Sequence, residues 1–139
     1  MLLMVTITAT YDGGLRCSAE HGPSGTTIIT DAPVDNHGRG ESFSPTDLVA
    51  TANASCMLTV MGIAAERHGA DLKGTTVTIG KEMSADLPRR IVALRSIMTI
   101  PLPSDHPHRA LLEGAAHACP VKQSLAPEID SNVEFRWVG

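Results

Sequence analysis

The stretch from Ser44 to Gly69 constrains the architecture of this chain more than any other. Ser44-Pro45-Thr46-Asp47 combines three helix-start signals: a serine at the N-cap, a proline at the first helical position, where no amide donor is needed, and an acid at the third, near the positive end of the macrodipole. From Leu48 to about Arg67 the residues are apolar or small on every face, including Val49, Ala52, Cys56, Val60, Met61, Ile63 and Ala64. His68-Gly69 then supplies a left-handed C-cap. A helix with no polar face must be covered by neighbours on most sides, so the rest of the chain is expected to supply that cover.

The flanking segments read as strands. Residues 4 to 11 and about 15 to 30 alternate Thr, Ile and Val, with Asp12-Gly13-Gly14 and His21-Gly22-Pro23-Ser24-Gly25 as hairpin turns. Asp31 to Ser44 lacks periodicity and carries glycine, proline and mixed charge, a long loop of the kind that tends to carry function. After the helix, 72–83 and 90–101 form a long hairpin around Asp86 and Pro88, with Val92, Leu94, Ser96, Met98 and Ile100 on one face. Residues 106–118 return to helical spacing, Cys119-Pro120 breaks and restarts the helix, and Val133, Phe135 and Trp137 alternate in a closing strand. The order βββ-α-ββ-αα-β segregates strands from helices and gives the α+β class.

With 139 residues, the chain is expected to form one domain over 1–139. Its formal charge of −4, and the absence of a basic run longer than Arg89-Arg90, argue against a nucleic-acid partner. Met1-Leu2-Leu3-Met4-Val5 has no positive flank and reads as strand rather than signal peptide. No apolar run is expected to reach the roughly 18 residues of a membrane span, so no membrane association and a cytoplasmic location are expected.

Three cysteines suit no secreted disulfide framework; Cys17, on an early strand, reads as structural. Cys56, about three turns into the long helix, is either a small hydrophobic filler or a redox group. Cys119 precedes a helix-opening proline, a position near unsatisfied amide donors that is expected to lower a thiol pKa. A metal reading of His106-Pro107-His108 and His117-Ala118-Cys119 competes, but the spacings match no metal motif, and no metal or organic cofactor is expected.

Ser44-Pro45-Thr46-Asp47-Leu48 leading to Ala54-Ser55-Cys56-Met57, followed by His117-Ala118-Cys119-Pro120-Val121, resembles the OsmC/Ohr family of thiol-dependent hydroperoxide reductases. The resemblance spans nearly the whole chain. It implies antiparallel sheets around a long buried central helix in an intertwined homodimer, with Cys56 as the peroxide-attacking cysteine and Cys119 as the resolving one. It also implies an organic hydroperoxide as substrate and an external dithiol as reductant. An arginine held by an acid is implied beside the first cysteine. The acid of the hydroperoxide reductases lies ten residues before that cysteine, where this chain has Thr46. Glu41 and Asp47 are the possible substitutes, and Arg16 or Arg39 the possible arginines. This departure keeps open a second reading, a non-enzymatic small-molecule binding protein on the same fold with peroxidase activity weak or lost.

Overall fold

A computed structural model describes residues 3–139. Met1 and Leu2, the start of the stretch read as strand, lie outside the described residues. The chain divides into two compact units, one up to Leu48 and one over Val49–Gly139.

The first unit is an antiparallel meander of β1 (Ile7–Gly13), β2 (Arg16–His21) and β3 (Thr27–Asp31). The strand begins at Ile7 rather than at Met4, because the ladder with β2 ends at the Ile7–His21 pair, past which the Gly22 amide donates to the Thr6 carbonyl at 3.0 Å as the chain enters the 21–25 turn. Gly13 and Gly14 take positive φ in the first turn, as the Asp-Gly-Gly signal requires, and Leu15 follows them into the same region at 63°. The register puts Ile7, Ala9 and Tyr11 beside Cys17, Ala19 and Ile28 on one face, and Thr8, Thr10, Ser18, Glu20 and Thr27 on the other. The 31–44 loop contains one 3-10 turn, Val34–Asn36, and is fixed by the buried Asp31. Its carboxylate accepts the Glu41 amide at 3.0 Å, and its own amide donates to the Phe43 carbonyl at 3.1 Å.

The long helix α1 spans Pro45–Arg67. Its start is a reciprocal cap: the Asp47 amide donates to Ser44 Oγ at 3.1 Å and the Ser44 amide to the Asp47 carboxylate at 2.9 Å. Its end is closed by Gly69 at φ 68°, with the Ala70 amide donating to the Ala65 carbonyl at 2.9 Å. The expectation of cover on most sides is corrected within the single chain. Only the stripe Ala50, Asn53, Met57, Met61 and Ala65 is buried, whereas Ser55 and Thr59 are exposed and Ile63 is 48% exposed. The exposed hydroxyls donate back to carbonyls one turn earlier, Ser55 to Thr51 and Thr59 to Ser55. The expected absence of a run of membrane-span length is also corrected, because the 23-residue α1 contains an 18-residue window of mean hydropathy 1.6, long and apolar enough by length and composition. Its buried stripe nevertheless serves a protein core.

That core belongs to the second unit. Met57, Met61 and Ala65 pack with Met98 and Ile100 of β5 (Ile91–Ile100), Leu112 and Ala116 of α2 (Arg109–His117), Cys119, and Val133 of β6 (Val133–Trp137). Leu94, Ser96, Met98 and Ile100 are buried on the expected face of β5. β5 is central, flanked by β4 (Thr76–Met83) and β6, and pairs antiparallel with β4. It pairs with β6 in parallel, a correction to the expectation of antiparallel sheets. From the end of β5 the chain crosses back through α2 and the short α3 (Pro120–Gln123), so β6 enters the sheet from the same end as β5.

Candidate active site

Two elements bring Cys56 and Cys119 together within the second unit. The long helix carries Cys56 about three turns from its start, beside the buried Met57, and leaves its thiol half-buried. Cys119 lies where the chain leaves α2 and turns into α3. It is extended at φ −62° and ψ 140°, with Pro120 fixing the next residue at the helix start. Its side chain is fully buried among the core residues, with Cys56 packed against the same cluster. The two thiols form a hydrogen bond with each other, and both are free of disulfide.

The electrostatics of Cys119 reverse the expectation from its helix-start position. The Lys122 amide does donate to its Sγ at 3.3 Å, and the Lys122 charge also favours thiolate. Burial is the larger effect and raises the pKa above the ordinary thiol value, helped by the hydrogen bond and charge interaction with Cys56. A helix of only four residues has a weak dipole, and a position sealed from water strongly disfavours the anion.

The residues proposed as activators fall in the first unit. Arg16 and Glu41 form an ion pair at 3.0 Å, with their side chains 32% and 54% exposed. Register and loop explain the meeting: Arg16 lies opposite Asp31 in the β2–β3 ladder, and Asp31 anchors the Glu41 amide. Arg39 is exposed and makes no ion pair with the described residues. Asp47 is engaged in the α1 cap, and Thr46 Oγ1 lies 3.2 Å from Ser44 Oγ at the same helix start. Of the possible acids, Glu41 is therefore the one joined to Arg16. Cys17 is half-buried on β2 opposite Tyr11, in keeping with its strand reading.

Two residues beside the cysteines were missed by the sequence reading. Asn53, one turn before Cys56, is completely buried with neither its amide nitrogen nor its oxygen hydrogen-bonded. Its signal is a lone amide within an apolar run. Lys122 is half-buried and donates from Nζ to the Ser131 carbonyl at 2.7 Å. Its signal is a lysine at the third position of a helix capped by cysteine.

The histidines of the metal reading go elsewhere. His106 and His108 cluster with His68, their rings centred 5.9 and 4.7 Å from one another in turn, and His106 stacks on Trp137. His117 meets Phe135 edge-on. Among the described residues, no group of three or more His, Cys, Asp or Glu side chains is arranged to hold a metal ion.

An α+β chain with two three-stranded sheets, a long central helix and two thiols in contact defines a narrow structural class. The profile for OsmC-like proteins matches residues 38–134, and the chain belongs to that family. A protein from Psychrobacter arcticus, provisionally described as an osmotic stress induced and detoxification response protein, is 45% identical, with a TM-score of 0.89 over 97% of this chain and 98% of that one. An organic hydroperoxide resistance protein OsmC from Legionella pneumophila is 17% identical, with a TM-score of 0.78 over 98% of each chain. An organic hydroperoxide resistance protein from Vibrio cholerae, also provisionally described and solved with captopril bound in one of its active sites, is 20% identical, with a TM-score of 0.75 over 97% of this chain and 94% of that one. The latter two likenesses establish the fold alone. No curated protein sequence matches the chain.

Proposed function

We propose that this protein reduces organic hydroperoxides through Cys56 and Cys119. The observation that carries the reading is the contact between two free thiols, one half-buried on α1 and one buried at the start of α3. The Cys56 thiolate attacks the terminal peroxide oxygen. The O–O bond breaks, an alcohol leaves, and Cys56 becomes a sulfenic acid. Cys119 displaces the hydroxyl as water and forms a disulfide, which an external dithiol reduces by exchange. A thiolate nucleophile is favoured by a nearby cation. The family resemblance points to Arg16 for that role, and its ion pair with Glu41 is what favours these two over Arg39 and Asp47. No metal or organic cofactor enters this cycle.

The same reading makes the working unit a homodimer and its location cytoplasmic, where reducing dithiols are available. The support for a second copy is the apolar face of the β1–β3 meander, on which Ile7 is 62%, Tyr11 65% and Ile28 46% exposed within one chain.

Intact mass spectrometry of the reduced protein after one equivalent of cumene hydroperoxide tests the chemistry. The expected result is a loss of two hydrogens mapped to Cys56 and Cys119, with Cys56→Ser abolishing peroxide consumption and Cys119→Ser leaving a trappable sulfenic acid. Normal consumption by Cys56→Ser overturns the proposal. An inert wild type that binds a small apolar ligand favours the non-enzymatic reading.

A further inference from the structure

We propose that Lys122 is the positioning residue that makes the Cys119 thiolate available for the second half of the cycle, a role resting on the reading of Cys56 and Cys119 as a redox pair. Cys119 is fully buried, yet to close a disulfide it must act as a thiolate, the nucleophilic form of a cysteine. Lys122 is built to meet that demand from one residue. Its backbone N–H donates directly to Cys119 Sγ, and its side chain donates to the Ser131 carbonyl, two residues before β6. That carbonyl is held firmly, because the neighbouring Asp130 and Asn132 carbonyls accept the amides of Leu94 and Ser96 on β5 at 2.8 and 3.0 Å. The ammonium is thus fixed at a half-buried position with one of its three donors committed.

The charged and titratable groups facing Lys122 are few. Cys119 and Asp130 both interact with its charge, and Cys56 joins through Cys119. Asp130 is already paired: its carboxylate accepts from Arg95 Nε at 2.7 Å, and the same guanidinium also binds Glu82 at 2.6 Å. A thiolate forming on Cys119 is therefore the anion within range that lacks a cation of its own. Burial lowers the Lys122 pKa, and both Cys119 and Asp130 oppose that shift, so an anion at Cys119 and a proton on Lys122 reinforce each other.

The step balances without a further reagent. The Cys119 thiol gives up its proton, its thiolate attacks the Cys56 sulfenic sulfur, the S–O bond breaks as the S–S bond forms, and the departing hydroxide takes the proton as water. Cys119 is oxidised, the sulfenic sulfur is reduced, and Lys122 stays protonated throughout.

The test compares wild type with Lys122→Gln, which removes the charge and keeps a hydrogen-bond donor, and with Lys122→Arg, which keeps the charge. Cys56 sulfenic acid is trapped with dimedone, and disulfide formation is timed from about pH 6 to 9 after a single equivalent of cumene hydroperoxide. Lys122→Gln is expected to slow disulfide formation about tenfold at neutral pH and to accumulate dimedone adduct. The deficit shrinks as pH rises, and Lys122→Arg restores the rate. An identical pH–rate profile for wild type and Lys122→Gln overturns the role of Lys122 while leaving the cysteine pair standing. A wild type that forms no disulfide defeats the underlying reading instead. If Lys122→Gln fails to fold, Lys122→Arg decides: a profile like that of wild type supports a charge requirement, and a tenfold slowing at every pH argues for a purely structural lysine.

Discussion

The two units of this chain handle apolar surface in opposite ways. The second buries Met57, Met61, Met98, Ile100 and Leu112 completely in a core of aliphatic and methionine side chains, although Asn53 of the same unit is fully buried too. The first has a sheet with a largely apolar face, broken by His21 and Thr30, and leaves Ile7, Tyr11 and Ile28 on it exposed within the chain, while the buried residues described in this unit are the polar Thr30, Asp31 and Ser44. One unit is held by packing. The other is held by ladder hydrogen bonds and by the anchoring of its loop on Asp31. Alternation alone makes a strand amphipathic, but it takes a second layer to turn the apolar face into a core. In the reading advanced above, another copy of the chain provides that layer.

The largest effect expected from this contrast is in the second unit. Met61→Ala leaves a cavity among Met57, Met98 and Leu112 and should cost about 2–5 kcal/mol, read from urea unfolding. Ile28→Ala, on the open face, should cost far less at protein concentrations where the chain is monomeric, and equal costs would break the comparison. Next comes Ile28→Asp, which sharpens it. A charge placed in an apolar subunit interface should weaken association by about 3 kcal/mol, visible as dissociation in sedimentation equilibrium. Unchanged association would remove the meander from the interface.

A smaller structural effect is expected at the Arg16–Glu41 pair. Both side chains are partly exposed, so Arg16→Ala should cost at most about 1 kcal/mol of stability. Its peroxide consumption should nevertheless fall well below wild type, and a thermal melt alongside a consumption assay separates the two consequences. Full activity in Arg16→Ala would end its assignment as the activating cation.

The smallest effects are those of pH. Hydrogen bonding to Arg95 holds the Asp130 carboxyl below its usual range, so its contribution is present above the ordinary carboxylate pKa and is lost as pH falls through the lowered value. Asp130→Asn should flatten the acid side of the stability profile only slightly, because the pair is solvent-exposed. Cys119 has the opposite sign. Its raised pKa means that the stabilising preference for the buried thiol is complete below the ordinary thiol value and is lost as pH rises through the folded one. Alkaline melts of wild type against Cys119→Ala check this.

Much of the architecture was legible from local chemistry. Ser44, Pro45 and Asp47 form the cap that their order announces, Asp12-Gly13-Gly14 turns the first hairpin, and Leu94 to Ile100 bury the face that their alternation marks. The buried side of α1 was not legible, because a helix apolar or small all round carries no moment to choose a side. Nor was the direction of β6, which depends on how α2 and α3 return the chain. The site divides in the same manner. The helix-start position of Cys119 could be read, but the burial that overrides its electrostatic consequence is a property of the assembled core.

The sequence by itself determined which segments become helices and strands and how α1 is capped, and its two cysteine motifs pointed to thiol chemistry. These are matters of capping, turn geometry, periodicity and residue type, all settled within a few positions along the chain. Tertiary structure alone decided that Cys56 interacts with Cys119, that Arg16 pairs with Glu41 rather than Arg39 doing so, that the Lys122 ammonium reaches the Ser131 carbonyl, and that Asn53 is sealed without a partner. The physical reason is range. Electrostatics, burial and hydrogen-bond satisfaction depend on distance in space, and contacts between residues far apart in the chain exist only once the sheets and helices have packed.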